Sequence, residues 1–217
     1  MIRSICLFCS NRIKKIMFYF LLLLFISCNK STVEVEKGFN KIENIVSRDE
    51  LIKGIVPNEK MLYWEYVRVR LGLKKGVEIR VKHCFGDSLI KKKYNIVYPK
   101  KGLIRGEFIS YTFISYIDDE GVKYVTTEKE LIDFVGKIDN AEEAALIMSY
   151  KSDLWIDNND IRGGAYKKVK DGFELYMMKY YNCPVKKESF KVEIDTNGNF
   201  KYKSNGVYYK SKDCIMT

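Results

Sequence analysis

One histidine and three prolines stand in a chain of 217 residues, and no unbroken apolar run reaches the roughly 20 residues that cross a hydrocarbon core. The lone His83 excludes sites built from several histidines and leaves little material for a triad or a zinc centre. Three prolines and 14 glycines exclude collagen-like and linker-dominated chains. Acidic residues are absent from positions 1–27, which carry Arg3, Arg12, Lys14 and Lys15. Setting that segment aside leaves 34 basic residues against 28 acidic ones, so much of the formal charge of +10 belongs to the N-terminus. The rest is spread as Lys pairs and one run, Lys91, Lys92 and Lys93, which reads as a solvated face and not as a nucleic-acid surface. What the chain does have is 47% hydrophobic and 14% aromatic residues, enough for one core or two small ones.

Residues 16–26 (IMFYFLLLLFI) follow the basic cluster, too short to span a bilayer but suited to the centre of a secretory signal. They end in Phe25, Ile26, Ser27 and Cys28. This order resembles the lipobox of bacterial lipoproteins, with Ser27 as the small residue before cleavage and Phe25 where leucine is usual. The resemblance implies a lipoprotein signal peptide over 1–27, cleavage between Ser27 and Cys28, and a diacylglyceryl group, with further acylation such as palmitate, on Cys28. Two or three acyl chains hold a protein at a membrane without a spanning helix. Asn29 follows the cysteine, which in lipoproteins of this kind implies the outer membrane of the cell envelope. Abundant Lys, Ile, Asn and Tyr make the composition similar to lipoproteins of Bacteroidota. Cys6 and Cys9 spell C-x-x-C but lie upstream of the cleavage point.

Residues 28–46 are polar and read as a tether contributing little core. Ser47 and Glu50 have capping-box spacing, which predicts a short helix through Lys53 stopped by Pro57. Val67, Val69 and Leu71, then Val77, Ile79 and Val81, alternate with charged residues, predicting a hairpin with one buried and one wet face. Further strands are predicted at 94–98, 107–117 and 122–125, the last two joined by a turn over 118–121. A second capping box, Thr127 and Glu130, opens a helix, and another begins after Asn140 with Glu142 and Glu143 in its first turn. Period-two segments at 166–170, 173–181, 189–194, 200–203 and 207–210 follow, with hairpin turns at 171–172, 196–198 and 205–206. The expected class is α+β, mostly antiparallel β-sheet with a few short helices, a C-terminal helix leading into a β-meander. Parts 47–126 and 127–217 are expected either as two units or as one continuous domain. The helix carrying Ala141, Glu142, Glu143, Ala144 and Ala145 and the hairpin over 192–198 loosely resemble a PepSY-type or cystatin-like unit, which implies a small exported module that binds or inhibits.

Removal of the leader leaves Cys28, Cys84, Cys183 and Cys214. Cys183 ends one predicted strand and Cys214 follows the last, so a Cys183–Cys214 disulfide is expected in an oxidising compartment. His83 and Cys84 are neighbours in a strand and point to opposite faces, which prevents a Cys-His dyad. Asp153, Asp157, Asn158, Asn159 and Asp160 are rich in oxygen but lack the spacing of a calcium loop and read as turn formers, and Gly163-Gly164 fits no phosphate loop. The 16 tyrosines read mainly as packing. Expected, then, is a membrane-anchored binding or interaction module without catalytic residues, metal or cofactor. Its partners would be the membrane, through the anchor, and an envelope protein or glycan, with no nucleic acid. The alternatives are an inhibitor or immunity-type lipoprotein and a hydrolase using Asp118, Asp119 and Glu120 or Asp157 and Asp160.

Overall fold

A computed structural model describes residues 33–57, 61–72, 76–106 and 110–215. Ser27 and Cys28, with the leader, lie outside the described residues. The body from Val33 onward is a single compact unit. Its described strands are β1 (Asn40–Lys41), β2 (Tyr63–Gly72), β3 (Gly76–Gly86), β4 (Ile104–Gly106), β5 (Ser110–Asp118), β6 (Gly121–Val125), β7 (Gly164–Val169), β8 (Gly172–Asn182), β9 (Val185–Asp195) and β10 (Phe200–Lys210). The helices are α1 (Arg48–Lys53), α2 (Ser88–Lys91), α3 (Glu128–Val135) and α4 (Ala141–Lys151). Every strand pairing is antiparallel. One sheet runs β1-β7-β8-β9-β10; the other runs β3-β2-β5-β4, with β6 also on β5. The class is α+β with the sheets dominant.

A continuous apolar cluster joins the sheets through the helices. Ala144, Ala145, Leu146, Ile147 and Met148 of α4 are all buried, so this helix is covered on every side. It meets Phe173, Leu175, Met177, Val192 and Ile194 of the first sheet, and the cluster continues to Trp64, Tyr66 and Ile114 of the second. At Gly54, which ends α1, an added Cβ would lie 2.6 Å from the Cβ of Glu142, so this crossing of α1 and α4 needs a residue without a side chain.

Several expectations are corrected. Residues 33–46 are not a tether: β1 pairs with β7, Ile42 and Ile45 are buried, and Phe39 packs on Tyr176 across the outer face of the first sheet. Ser47 and Glu50 do not form a reciprocal box, because the serine hydroxyl bonds directly to the Glu50 carboxylate. α1 ends at Gly54, before Pro57. The box at Thr127 and Glu130 does form, and Asn140 caps α4 by accepting from the Glu143 N–H. Segment 94–98 is not a strand. Asn205 and Gly206 make no hairpin turn; β10 runs through them with a shifted register, and Gly206 at φ +105° supplies the irregular backbone.

Cys183 and Cys214 are bonded, with Cα atoms 4.3 Å apart and 31 residues between them in sequence. The tail lies along the β8–β9 turn, Val185 N–H donating to Asp213 O at 2.8 Å and Ile215 N–H to Asn182 O at 2.9 Å. Replacing both cysteines by alanine is expected to lower unfolding stability by about 2–4 kcal/mol, since a loop of about 30 residues is no longer closed in the unfolded chain. Urea unfolding of the oxidised wild type against the double variant measures it.

Glu143 is fully buried, its two oxygens accepting from Val56 N–H (2.8 Å) and Asp139 N–H (3.0 Å) and so tying the chain after α1 to the start of α4. Burial pushes its carboxyl up to about 7 against those two donors. Its folded value exceeds its unfolded one, so between about pH 4.5 and 7 the folded chain binds more protons, and stability falls as pH rises through that window. Urea unfolding at pH 4.5 and pH 8 should show the stability difference between wild type and Glu143→Gln changing by about 2–3 kcal/mol, with the wild type losing more at the higher pH.

Candidate functional site

Alternation assigns the residues of β2 to two faces. Trp64 and Tyr66 point toward the helices, where Tyr66 donates to Asp49 of α1 at 2.9 Å and Arg68 reaches the same carboxylate at 2.7 Å. Tyr63, Glu65, Val67 and Val69 occupy the other face. There Val67, Val69 and Phe113 form a second, smaller core with Tyr98, Tyr111 and Tyr124. Segment 87–103 lies over this face as a strap. Asp87 caps α2 through the Leu89 N–H, and Tyr98 packs on Phe113 with ring centroids 5.4 Å apart.

Glu65 is the chemical centre of this face. It is fully buried and accepts from Tyr63 (3.0 Å) and Lys91 (2.5 Å) on one oxygen, and from Ser115 (3.2 Å) and Tyr98 (3.3 Å) on the other. Burial alone would lower the Lys91 ammonium, but the hydrogen bond and charge of Glu65 outweigh it and hold the group above its ordinary value. Burial, then the adjacent carboxylate, raises Tyr63 and Tyr98. Tyr63, Lys91 and Tyr98 are therefore held protonated around one carboxylate, which with Ser115 also donating to it clasps the strap to the sheet. One lysine of the solvated run is thus half-buried and paired. Sequence reasoning missed Glu65, although its parity with Val67 and Val69 on an apolar face was the available signal.

The strap does not cover β3. Ile79 and Val81 lie opposite Val69 and Val67, yet Val77, Ile79 and Val81 are 60%, 47% and 41% exposed. This corrects the expected hairpin with one buried face: Val67 and Val69 of β2 are buried, and Val77, Ile79 and Val81 of β3 are not. Among the described residues β3 is also an edge strand, with β2 its one paired neighbour, so its other side offers backbone groups that no described strand pairs. Leu89 and Val97 of the strap are exposed as well. On the helix-facing side, Arg68, Arg70, Arg80 and Lys82 outnumber Glu78 around a small cleft, and Arg80 donates to Glu78 at 2.6 Å.

The other residues singled out by sequence do not converge. His83 packs edge-on against Trp64 (5.2 Å between centroids), and desolvation lowers its pKa. Cys84 lies opposite Glu65 in the sheet and is a free, exposed thiol. Asp118 pairs with Lys123 at 2.7 Å, which holds its carboxyl below the usual range. Asp157 is buried and accepts from Lys187 (2.7 Å) and Tyr208 (2.8 Å), while Asp160 grips Arg162 beside it. Loop 153–164 is thus a turn stapled to β9 and β10 by ion pair and hydrogen bond. Among the described residues, no three His, Cys, Asp or Glu side chains are grouped as a metal ion needs. Among the tyrosines, Tyr63, Tyr66, Tyr176 and Tyr208 are buried and Tyr202 and Tyr209 exposed. A shallow concavity of about 510 Å³ at the ends of β8, β9 and β10 mixes charges of both signs, but its Glu193 is paired with Lys201 at 2.9 Å and Asp195 is spent on Asn197 and Asn199.

No family model, curated protein or solved structure matches the chain.

The clasp separates the three lysines of one run. Lys91→Ala is expected to lower unfolding stability by about 2–3 kcal/mol, because Glu65 loses its cation while remaining buried. Lys92→Ala and Lys93→Ala should each stay within about 0.5 kcal/mol of wild type. Denaturant unfolding of the three variants makes the comparison, and equal losses in all three would contradict the clasp.

Proposed function

We propose that the chain is an exported, lipid-anchored binding module of the cell envelope, acting without catalysis. On this reading, residues 1–27 direct export, cleavage after Ser27 frees Cys28 for lipidation, and the acyl chains hold the body at the outer membrane. The order of basic cluster, apolar run, small residue and cysteine supports the anchor. No described helix is long and apolar enough to cross a membrane. One observation carries the binding role: the exposed apolar row Val77, Ile79 and Val81 on a strand that is the edge of its sheet among the described residues. Contiguous exposed apolar surface beside a free edge is the form taken by sites that accept a further strand. Of the carboxylates offered for hydrolysis, Asp118, Glu120, Asp157 and Asp160 are instead engaged with Lys, Arg, Tyr or backbone groups, which favours binding over chemistry.

Two variants test the two halves of the proposal. Cys28→Ser is expected to abolish incorporation of a fatty-acid probe and to leave the chain unprocessed or released from membranes; unchanged labelling would contradict the anchor. Ile79→Lys, at an exposed position, should leave the unfolding midpoint nearly unchanged while reducing at least ten-fold the binding partner retained from detergent-solubilised membranes. Equal retention by wild type and variant would remove β3 from the proposal.

A further inference from the structure

We infer that the partner of the β3 edge is a second copy of the same chain, joined β3 to β3 about a two-fold axis through Ile79. This rests on the reading of β3 as the binding edge. In an antiparallel pair, directly opposed residues share a face. A two-fold axis perpendicular to the sheet at Ile79 would set Ile79 against its own copy and Val77 against Val81 of the other copy, keeping the apolar row on one face. On the opposite face, Glu78 of each copy would meet Arg80 of the other, twice by symmetry. Val77-Glu78-Ile79-Arg80-Val81 is thus self-complementary in this register.

Neighbouring registers fail by charge. An axis at Glu78 or at Arg80 opposes like charges at the centre, and an axis at Val81 opposes Arg80 to Lys82 twice. Registers shifted by a single residue set Ile79 against Arg80 and bring apolar and charged side chains together. Charge within the sheet points the same way. Arg68 lies opposite Arg80 in the β2–β3 ladder, a like-charge pair, while Glu78 lies opposite Arg70. The Ile79-centred dimer would place a carboxylate from the other copy on the far side of Arg80, which already meets its own Glu78 at 2.6 Å, so that each row across the seam runs Arg68, Arg80, Glu78, Arg70 with an acid between the arginines of the two copies.

The ladder shift between Tyr66 and Val67, which skips Lys82, confines the regular part of β3 on this side to 76–81. Six residues a side fall well short of the roughly 20–30 of a standard stable interface. The dimer would accordingly be weak in dilute solution and favoured where a membrane anchor concentrates the chains.

Cysteine cross-linking in the full chain, on a Cys84→Ser background, reads the register directly. Under mild oxidation Ile79→Cys should give a disulfide-linked homodimer at least ten-fold faster than Val77→Cys or Val81→Cys alone, with the C84S parent setting the background. The V77C/V81C pair should cross-link as fast as I79C. Glu78→Arg in the I79C chain should suppress the dimer, and the swap E78R/R80E should restore it. Comparable rates for the three single cysteines, or no homodimer above background at I79C, would overturn the inference. In that second case the same gel distinguishes two failures: I79C adducts with a different protein overturn the homodimer while keeping β3 as a binding edge, whereas an I79C thiol left freely reactive to maleimide overturns both.

Discussion

A carboxylate shut away from water organises half of this molecule. Glu65 stands on the apolar face of β2, where an ion without partners would cost several kcal/mol, and Tyr63, Lys91, Tyr98 and Ser115 converge on it. Two of those donors come from the strap over 87–103, so satisfying the charge fixes where the strap lies. Tyr98 is then placed on Phe113, and with Tyr111 and Tyr124 it closes the small core over Val67 and Val69. The same placement leaves β3 outside. The burial of one strand and the exposure of its neighbour follow from where a single charge must be answered.

The remainder of the body is built more conventionally, from a buried helix between sheet faces. α4 carries alanines and aliphatics on all sides because α1, α3 and the first sheet surround it. Its only fully buried carboxylate, Glu143, is used as a bracket for two backbone N–H groups. Asp49, Asp157 and Glu65 act similarly, each linking elements distant in sequence. Such groups specify geometry more than they add stability, since each must be desolvated before it is paired.

Local signals in the sequence carried the strands of the meander, the capping box at Thr127 and Glu130, the Asn140 cap, the turn over 118–121 and the pairing of Cys183 with Cys214. Each depends on residues within a few positions or on strand ends brought together by consecutive hairpins. What sequence could not show depends on contacts between distant segments. Residues 33–46 look polar enough to be a tether, but Phe39, Ile42 and Ile45 each find a pocket on the body. Segment 94–98 has strand-like residues and becomes a strap because Lys91 and Tyr98 are drawn to Glu65. Val77, Ile79 and Val81 have the alternation of a buried strand, and period alone does not tell whether anything lies above them.

Exposure of the β3 row therefore carries the functional account, and amide hydrogen exchange measures it most directly. Exchange of β2 and β5 should be slow at every protein concentration, while the alternate amides of residues 76–82 that face away from β2 should exchange fast in dilute solution and become protected as concentration rises, or when the chains are gathered on vesicles. Protection of those outward-facing amides that is high and independent of concentration down to the monomer would mean that something within the chain already covers the edge, and would contradict the account.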